Sequence, residues 1–159
     1  MARFTHDVVI VGGGSGGLTA AVGCAQLGMK TALIDKEILG GDCLHYGCVP
    51  SKTLIRSATI YQEAREGARY GLPELQMPPV DMQAINRRVA EVIGTIQEHD
   101  SPERFQRLGA EVFFGSARFT SPHELRLNED ETLSAPRIIL ATGSSPRAIP
   151  FPGLDETGY

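Results

Sequence analysis

The sequence lacks a long apolar run, a cluster of basic residues and a secretion signal. No stretch approaches the roughly 18 consecutive apolar residues that span a bilayer, so no membrane association is expected. The net charge is −4 and Lys and Arg are scattered, which gives no electrostatic reason to expect a nucleic-acid partner. No basic and apolar leader precedes the first apolar run, and we therefore expect a cytoplasmic protein.

The sequence is also poor in cysteine, with three in 159 residues. In a reducing compartment three cysteines do not form a structural disulfide framework. Cys43 and Cys48 nevertheless lie close together, and a catalytic pair is the better interpretation of them.

Hydrophobic residues make up 42% and charged residues 21%, which is the balance of one soluble globular domain.

The first forty residues alternate between strand and helix patterns. A β-branched run at residues 5–11 predicts a strand buried on both faces, and residues 30–36 predict a second one. Between them, apolar residues at helical spacing predict a helix that ends near Leu27. Strand, tight turn, helix and strand in about thirty residues form one βαβ unit of a parallel sheet.

The remainder of the chain predicts two longer helices and then several strands. A loop at residues 37–48 precedes a helix from Pro50 to about residue 70, and Asp81 is placed to cap the next helix. Ser101 is placed to cap a short helical turn that follows it.

Strand patterns return in the last third of the chain. They occupy residues 111–119, 123–127 and 137–143, with a polar turn predicted at 128–131. This arrangement predicts a small antiparallel excursion that returns to the parallel sheet.

A glycine-rich segment joins the first predicted strand to the first predicted helix. In its G-x-G-x-x-G pattern, Gly12 makes the tight turn, Gly14 lets the backbone approach a pyrophosphate, and Gly17 lets the helix pack on the strand. The helix amino terminus offers free N–H groups to phosphates, and Asp35 is placed to hold a ribose diol. The pattern predicts a dinucleotide site without choosing between FAD and NAD. The alternative is a glycine-rich turn beside a surface aspartate.

The two neighbouring cysteines follow the second predicted strand, whose carboxyl end faces the ligand crevice of a dinucleotide fold. The four residues between Cys43 and Cys48 can close a small ring if the backbone coils. A helix starting near Val49 would stabilise a thiolate at Cys48, while the other sulfur, which is expected to lie nearer solvent, can exchange with a substrate. The alternatives are two free cysteines in a loop or a zinc site, for which only His45 is nearby. Cys24 is expected to be a buried small hydrophobe.

The order of these motifs resembles the pyridine nucleotide–disulfide oxidoreductases, which include glutathione reductase, dihydrolipoamide dehydrogenase and mercuric reductase. The glycine loop and its acid are followed by GGDCLHYGCVPSK at residues 40–52 and RIILATGSSPRAIP at 137–150. The resemblance implies an α/β fold, with a Rossmann-like βαβ FAD-binding domain whose parallel sheet carries a small antiparallel β excursion. It also implies that residues 1–159 form the amino-terminal part of this domain. The NAD(P) and dimerisation domains would then lie outside this chain.

The resemblance further implies the roles of individual residues. Cys48 corresponds to the flavin-proximal thiol and Cys43 to the thiol that exchanges with substrate, with electrons arriving from NADPH or NADH through FAD. Lys52 corresponds to a lysine near the flavin ring, and no metal site is expected. The cofactor-binding positions are Gly12, Gly14, Ser15, Gly16, Gly17, Asp35, Lys36, Gly41, Asp42, Lys52, Gly115, Ala117, Ala141, Thr142, Gly143 and Ser144.

The chain departs from the family pattern at three places, and at one of them Asp35 stands where glutamate is commoner, with equivalent chemistry. Asp42 stands where the family usually has threonine, and its charge is unfavourable near a pyrophosphate unless it turns away or caps a helix. His45 and Tyr46 replace the usual polar and apolar pair between the cysteines, which affects what reaches Cys43.

The resemblance favours the branch with the mercuric-reductase-like and dihydrolipoamide-dehydrogenase-like enzymes, because the VPSK motif and HDSPERF at residues 99–105 resemble the mercuric-reductase-like relatives more. The expected substrate is a small-molecule disulfide, a dithiol or a metal ion, and the full-length parent is expected to be a homodimer. Residues 1–159 alone are expected to show no turnover with NADPH. The competing hypothesis is a non-catalytic module that binds FAD or ADP. An NAD-dependent dehydrogenase would have no use for the cysteine pair.

Overall fold

The computed structural model describes residues 4–128, 131–145, 147 and 149–157. Its strands form two sheets. The parallel sheet has the order β3-β2-β1-β7, and the antiparallel sheet has the order β4-β5-β6. The strands are β1 (Val8–Val11), β2 (Thr31–Asp35), β3 (Ala110–Phe114), β4 (Ala117–Ser121), β5 (Glu124–Leu127), β6 (Glu131–Ser134) and β7 (Ile138–Leu140).

Helices connect the parallel strands. They are α1 (Ser15–Gln26), α2 (Gly41–His45), α3 (Cys48–Arg65), α4 (Met82–Gln97), α5 (Pro102–Arg107) and α6 (Leu154–Thr157), with 3₁₀ turns at Gly67–Tyr70 and Glu98–Asp100. The chain thus runs β1-α1-β2 as one βαβ unit, crosses by α2 to α5 to β3, and returns to β7 beside β1. The α/β class with an antiparallel excursion, expected from the sequence, is confirmed.

The two central strands of the parallel sheet, β1 and β2, are buried on both faces, as their uninterrupted apolar runs predict. On one face Ile10 and Leu33 pack with Phe105 of α5 in a cluster that also includes residues of α1. On the other face Val9 and Ile34 pack against the apolar side of the antiparallel sheet. Burying a side chain of this size contributes about 1.5–3 kcal/mol relative to leaving it exposed. Successive residues of each central strand therefore pack on opposite faces, one against the helices and the next against the second sheet.

The strand predictions need two corrections in the last third of the chain. Residues 111–119 form two strands in different sheets, because Gly115 at φ +144° turns the chain between β3 and β4. Strand β6 begins at Glu131, inside the predicted polar turn, and the residues 129–130 of that turn lie outside the described ones. Leu133 is the only fully buried residue of β6, so the sequence of this strand lacks the repeated apolar positions that predict a strand.

The helix predictions are accurate for the caps and less so for the boundaries. Asp81 accepts hydrogen bonds from two backbone N–H groups at the start of α4, and Ser101 accepts one at the start of α5. Helix α3 begins at Cys48, two residues before the expected Pro50, and α2 lies within the expected loop. Cys24 packs, partly buried, against the core cluster. Within the described part of the chain, no helix combines the length and apolarity needed to cross a membrane.

Candidate cofactor and cysteine site

The glycine loop turns sharply out of β1 and brings α1 close to the strand. Gly12 has φ +109°, and a Cβ there would overlap the carbonyl oxygen of Ala141 at the end of β7. A Cβ at Gly17 would overlap the carbonyl oxygen of Gly12. Gly12 therefore makes the tight turn and Gly17 the close helix packing that the sequence predicted. A Cβ added at Gly16 would lie 3.9 Å from the Ala141 Cβ, an ordinary contact distance.

The middle glycine of the motif faces open space. A Cβ at Gly14 would meet only the Cα of Gly41, at 3.7 Å, and the extended backbone of Gly14 suits any residue. The protein itself thus does not require glycine at this position. The Gly14 carbonyl oxygen accepts a hydrogen bond from the Leu18 N–H. The first N–H groups of α1, which begins at exposed Ser15, have no intrahelical partner. Free donors, a positive helix end and uncovered backbone suit a phosphate group.

Asp35 anchors the glycine loop as well as facing the crevice. One carboxylate oxygen accepts from the Gly13 N–H at 2.7 Å, and the other accepts from Glu37 and Ile38, both at 3.0 Å. A carboxylate has about four acceptor positions, so one is left for a ligand hydroxyl. The sequence predicted only the ligand role. The structure adds a backbone-holding role that the sequence analysis missed.

A crevice of about 360 Å³ lies where the carboxyl ends of β1 and β2 meet the turn after β3. It brings together six of the predicted cofactor-binding residues, which are Gly12, Asp35, Lys36, Gly115, Ala117 and Thr142. Ser116, between two of these residues, lines it as well, and so do Val11 and Ile34, which were not predicted to do so. Val11 and Ile34 are the last strand residues before the crevice, and that position is the signal that could have found them.

The turn after β7 contributes unequally to this crevice. The Ala141 N–H donates to the Val11 carbonyl at 2.8 Å, which holds the turn against β1. Thr142 lines the crevice, whereas the predicted residues Gly143 and Ser144 are exposed and are not among the residues that line it.

The loop after β2 docks on the glycine loop and positions α2. The Gly40 N–H donates to the Gly13 carbonyl at 2.8 Å. Gly41 has φ +59°, and a Cβ on it would lie 2.6 Å from the Gly14 Cα. This close approach places Cys43 of α2 near the amino terminus of α1, where it lines a cavity of about 250 Å³ together with Ser15.

Asp42 is the residue whose charge was expected to be unfavourable near a pyrophosphate. Its side chain is exposed and it lies in the first turn of α2. The positive end of a helix favours a carboxylate there.

The structure places the two cysteines side by side as free thiols. Cys43 is partly buried, whereas Cys48 is exposed as the first residue of α3. The expectation that the exchanging thiol, Cys43, lies nearer solvent than Cys48 is therefore wrong for this structure. The two thiols interact. Cys43 raises the pKa of Cys48 above its ordinary value, first through a hydrogen bond between the side chains and second through its charge when it is ionised. Lys52, one turn along α3, acts in the opposite direction and is the weaker influence. In the reduced pair, the neighbouring Cys43 thiol therefore opposes the low pKa that the start of α3 was expected to give Cys48.

This geometry also bears on the two alternatives for the pair, which were two free cysteines in a loop and a zinc site. The cysteines are not scattered in a loop, since one lies on each of two successive helices. Among the described residues no group of three or more His, Cys, Asp or Glu side chains is placed to hold a metal ion.

The site thus combines a crevice at the carboxyl ends of the parallel strands with two adjacent thiols on the helices that follow β2. Residues 6–159 match the family model described as pyridine nucleotide-disulphide oxidoreductase, and the chain belongs to this family.

Solved and curated relatives agree with this membership. The chain is 38% identical to a dihydrolipoyl dehydrogenase of Bacillus subtilis (strain 168), over 96% of this chain and 34% of the relative. It is 36% identical to a dihydrolipoyl dehydrogenase of Trypanosoma brucei brucei, over 95% of this chain and 33% of the relative. The Cu(II) complex of the HOCl-induced flavoprotein disulfide reductase RclA from Escherichia coli superposes with a TM-score of 0.72 at 26% identity, covering 94% of this chain and 30% of RclA. The chain thus spans about a third of the length of these relatives.

Proposed function

We propose that this chain is the FAD-binding part of a disulfide oxidoreductase linked to NADPH or NADH, with Cys43 and Cys48 as its redox pair. The observation that carries the proposal is the contact between the Cys43 thiol on α2 and the Cys48 thiol at the start of α3, next to a loop docked against the glycine loop. A pair of free thiols has no evident structural task there, whereas a dithiol beside a dinucleotide crevice is equipped for two-electron exchange.

The residues present fit FAD. The 360 Å³ crevice suits the adenosine half, with Asp35 and Lys36 at its rim and the turn at Gly115 beneath it. The amino terminus of α1 and the bare backbone of Gly14 suit the pyrophosphate. Bound FAD would supply two-electron transfer between the nicotinamide and the cysteine pair. Lys52 would place positive charge near the thiols and the flavin.

The cysteines divide the chemistry between them. In the exchange step a thiolate of the pair attacks a substrate disulfide, and a mixed disulfide forms as one substrate thiol leaves. The second cysteine then attacks the mixed disulfide, which releases the other substrate thiol and closes the Cys43–Cys48 bond. We assign the substrate-facing role to Cys43, as the family resemblance implies.

A disulfide or dithiol is the substrate class we propose. The relatives named above are dihydrolipoyl dehydrogenases and a disulfide reductase, and such molecules exchange directly with paired thiols. Mercuric ion is the second candidate, because residues 49–52 and 99–105 resemble the mercuric-reductase-like branch. The relatives are about three times as long as the chain. We therefore propose that NAD(P)H binding, turnover and homodimerisation use segments outside residues 1–159.

The proposal is tested by counting thiols and bound flavin in the same sample. The protein has three cysteines, so oxidation should leave one free thiol, on Cys24, and reduction should expose all three. Peptide mapping should find Cys43 joined to Cys48, and extraction with acid should release FAD. Cys48→Ser should abolish the change in thiol number, whereas the control Cys24→Ser should retain the disulfide.

Two results would contradict the proposal in different ways. Protein that binds FAD but keeps Cys43 and Cys48 as free thiols under mild oxidants is the non-catalytic module. Protein that binds neither FAD nor ADP would remove the cofactor assignment altogether. In the full-length protein, reduction of lipoamide against reduction of mercuric ion with NADH or NADPH decides the substrate and the nucleotide.

A further inference from the structure

One buried backbone carbonyl near the cysteines accepts hydrogen bonds from two side chains. The Leu39 carbonyl oxygen lies 3.1 Å from Nε2 of His45 and 3.2 Å from Nε2 of Gln97. Leu39 is 1% exposed and belongs to the loop between β2 and α2. His45 is the last residue of α2 and Gln97 is the last residue of α4, so three separate segments meet at one atom.

The chemistry of a carbonyl settles how these groups are arranged. A carbonyl oxygen only accepts, so the Nε2 atom of His45 carries the hydrogen. A carbonyl has two lone pairs, and the two side chains occupy both. Among the described residues, the Gln97 Oε1 atom is buried without a hydrogen-bond partner. The bond to Leu39 is therefore the contact that orients the Gln97 amide, and we call these three groups the Leu39 clamp.

The Leu39 clamp sits directly beside the redox pair in the chain. Cys43 precedes His45 by two residues on the same short helix, and Cys48 begins the next helix. A helix of five residues has little stability of its own, so its orientation depends on tertiary contacts. The distance between the two sulfurs therefore depends on how firmly α2 is held to the loop and to α4.

We propose that His45 is a positioning residue that, with Gln97, fixes α2 so that the Cys43 and Cys48 sulfurs are held ready to join. This inference rests on the proposed redox role of the pair and explains why histidine stands between the cysteines. With the Leu39 clamp in place, the reduced pair is pre-organised for ring closure, which favours the disulfide. Without it, α2 samples other orientations and the disulfide forms less readily.

The equilibrium that reports this effect is an exchange with a dithiol reagent. The Cys43 and Cys48 thiols react with oxidised dithiothreitol to give the protein disulfide and reduced dithiothreitol. Two electrons and two hydrogens pass from the protein to the reagent, and one disulfide replaces another. The equilibrium constant is measured by trapping free thiols with an alkylating agent and counting them by mass spectrometry.

His45→Leu removes the N–H donor, and we expect it to lower the equilibrium constant about three- to tenfold, the range of one neutral hydrogen bond. His45→Gln keeps a terminal N–H donor and should restore most of the wild-type value. Tyr46→Phe is the matched control, because Tyr46 is exposed and its hydroxyl takes no part in the Leu39 clamp. It should leave the constant unchanged.

The second arm of the clamp gives an independent test. Gln97→Leu should also lower the constant. The double variant with His45→Leu should lose more than the product of the two single effects, because only then is the Leu39 carbonyl left without a donor. Thr95→Val, which removes an exposed hydrogen bond on the same helix α4, is its control.

The outcomes separate the clamp from the redox pair itself. If the wild-type protein forms no Cys43–Cys48 disulfide, the proposed function fails and the inference fails with it. If the wild-type disulfide forms and the His45→Leu and Gln97→Leu proteins, folded by circular dichroism, keep the wild-type constant, the positioning role alone is wrong. If His45→Leu does not fold, His45→Gln and Gln97→Leu carry the decision, and a wild-type constant in Gln97→Leu refutes the role.

Discussion

Replacing Gly17 by alanine should destabilise the protein through a backbone clash that no side chain can relieve. An added Cβ overlaps the Gly12 carbonyl oxygen and lies 2.9 Å from the Gly12 carbonyl carbon. It also lies 3.5 Å from the Cβ of Ala141, so the strand end and the β7 turn confine it together. Helix α1 would have to move away from β1 by about 1 Å or more to reach an ordinary contact distance.

The magnitude follows from the rigidity of the contact. Overpacking a well-packed site costs about 1–3 kcal/mol, and a clash with backbone belongs at the upper end of that range. The better helix propensity of alanine offsets at most about 1 kcal/mol. The expected net change for Gly17→Ala is therefore a loss of about 2 kcal/mol in the free energy of unfolding.

Gly23 provides a matched control on the same helix. A Cβ at Gly23 meets no atom within 4 Å, so Gly23→Ala should stabilise the protein by about 0.5–1 kcal/mol through helix propensity alone. Urea unfolding, followed by circular dichroism, measures both changes at a common denaturant slope. Equal stability of the Gly17→Ala and Gly23→Ala proteins would refute the packing argument, because propensity would then explain both.

Three further predictions concern the cofactor loop and the cysteines. Gly14→Ala should leave the free energy of unfolding within about 0.5 kcal/mol of wild type. It should weaken FAD binding at least about tenfold, because the added Cβ enters space that the protein leaves open. Unchanged affinity in a flavin-fluorescence titration would contradict this. Asp35→Asn should cost about 1–3 kcal/mol in urea unfolding by weakening three backbone hydrogen bonds, and a wild-type midpoint would show that they contribute nothing. Cys43→Ala should lower the pKa of Cys48, and Lys52→Met should raise it. Compared with wild type, the alkylation rate of Cys48 should therefore rise at lower pH in the Cys43→Ala protein and at higher pH in the Lys52→Met protein. Coinciding pH profiles would show that neither neighbour governs the thiol.

Much of the first βαβ unit could be predicted from the sequence, because its signals are local. The strand ending at Val11, the helix ending near Leu27 and the strand ending at Asp35 follow from apolar runs and helical spacing. The tight turn at Gly12 and the packing at Gly17 follow from a motif whose spacing encodes a backbone geometry. The family could be recognised for the same reason, since the glycine loop and the cysteine motif are each contiguous.

The features that sequence reasoning missed or misjudged depend on neighbours distant along the chain. Strand β6 has one buried residue, Leu133, and exists because β5 lies beside it. The anchoring role of Asp35 needs the N–H of Gly13, which is 22 residues away in sequence. The raised pKa of Cys48 needs the position of the Cys43 thiol, and the order of two opposing influences cannot be read from a motif.

The sequence by itself determined the class of the fold, the tight turn of the glycine loop and the candidacy of Cys43 and Cys48, because each rests on periodicity or spacing within a few residues. Tertiary structure alone decided which predicted residues share the crevice, how the thiols influence each other, and that His45 and Gln97 converge on Leu39 across 58 residues of chain. The physical reason is that a hydrogen bond or a charge acts over a few ångströms of space, and the packing of whole segments sets those distances.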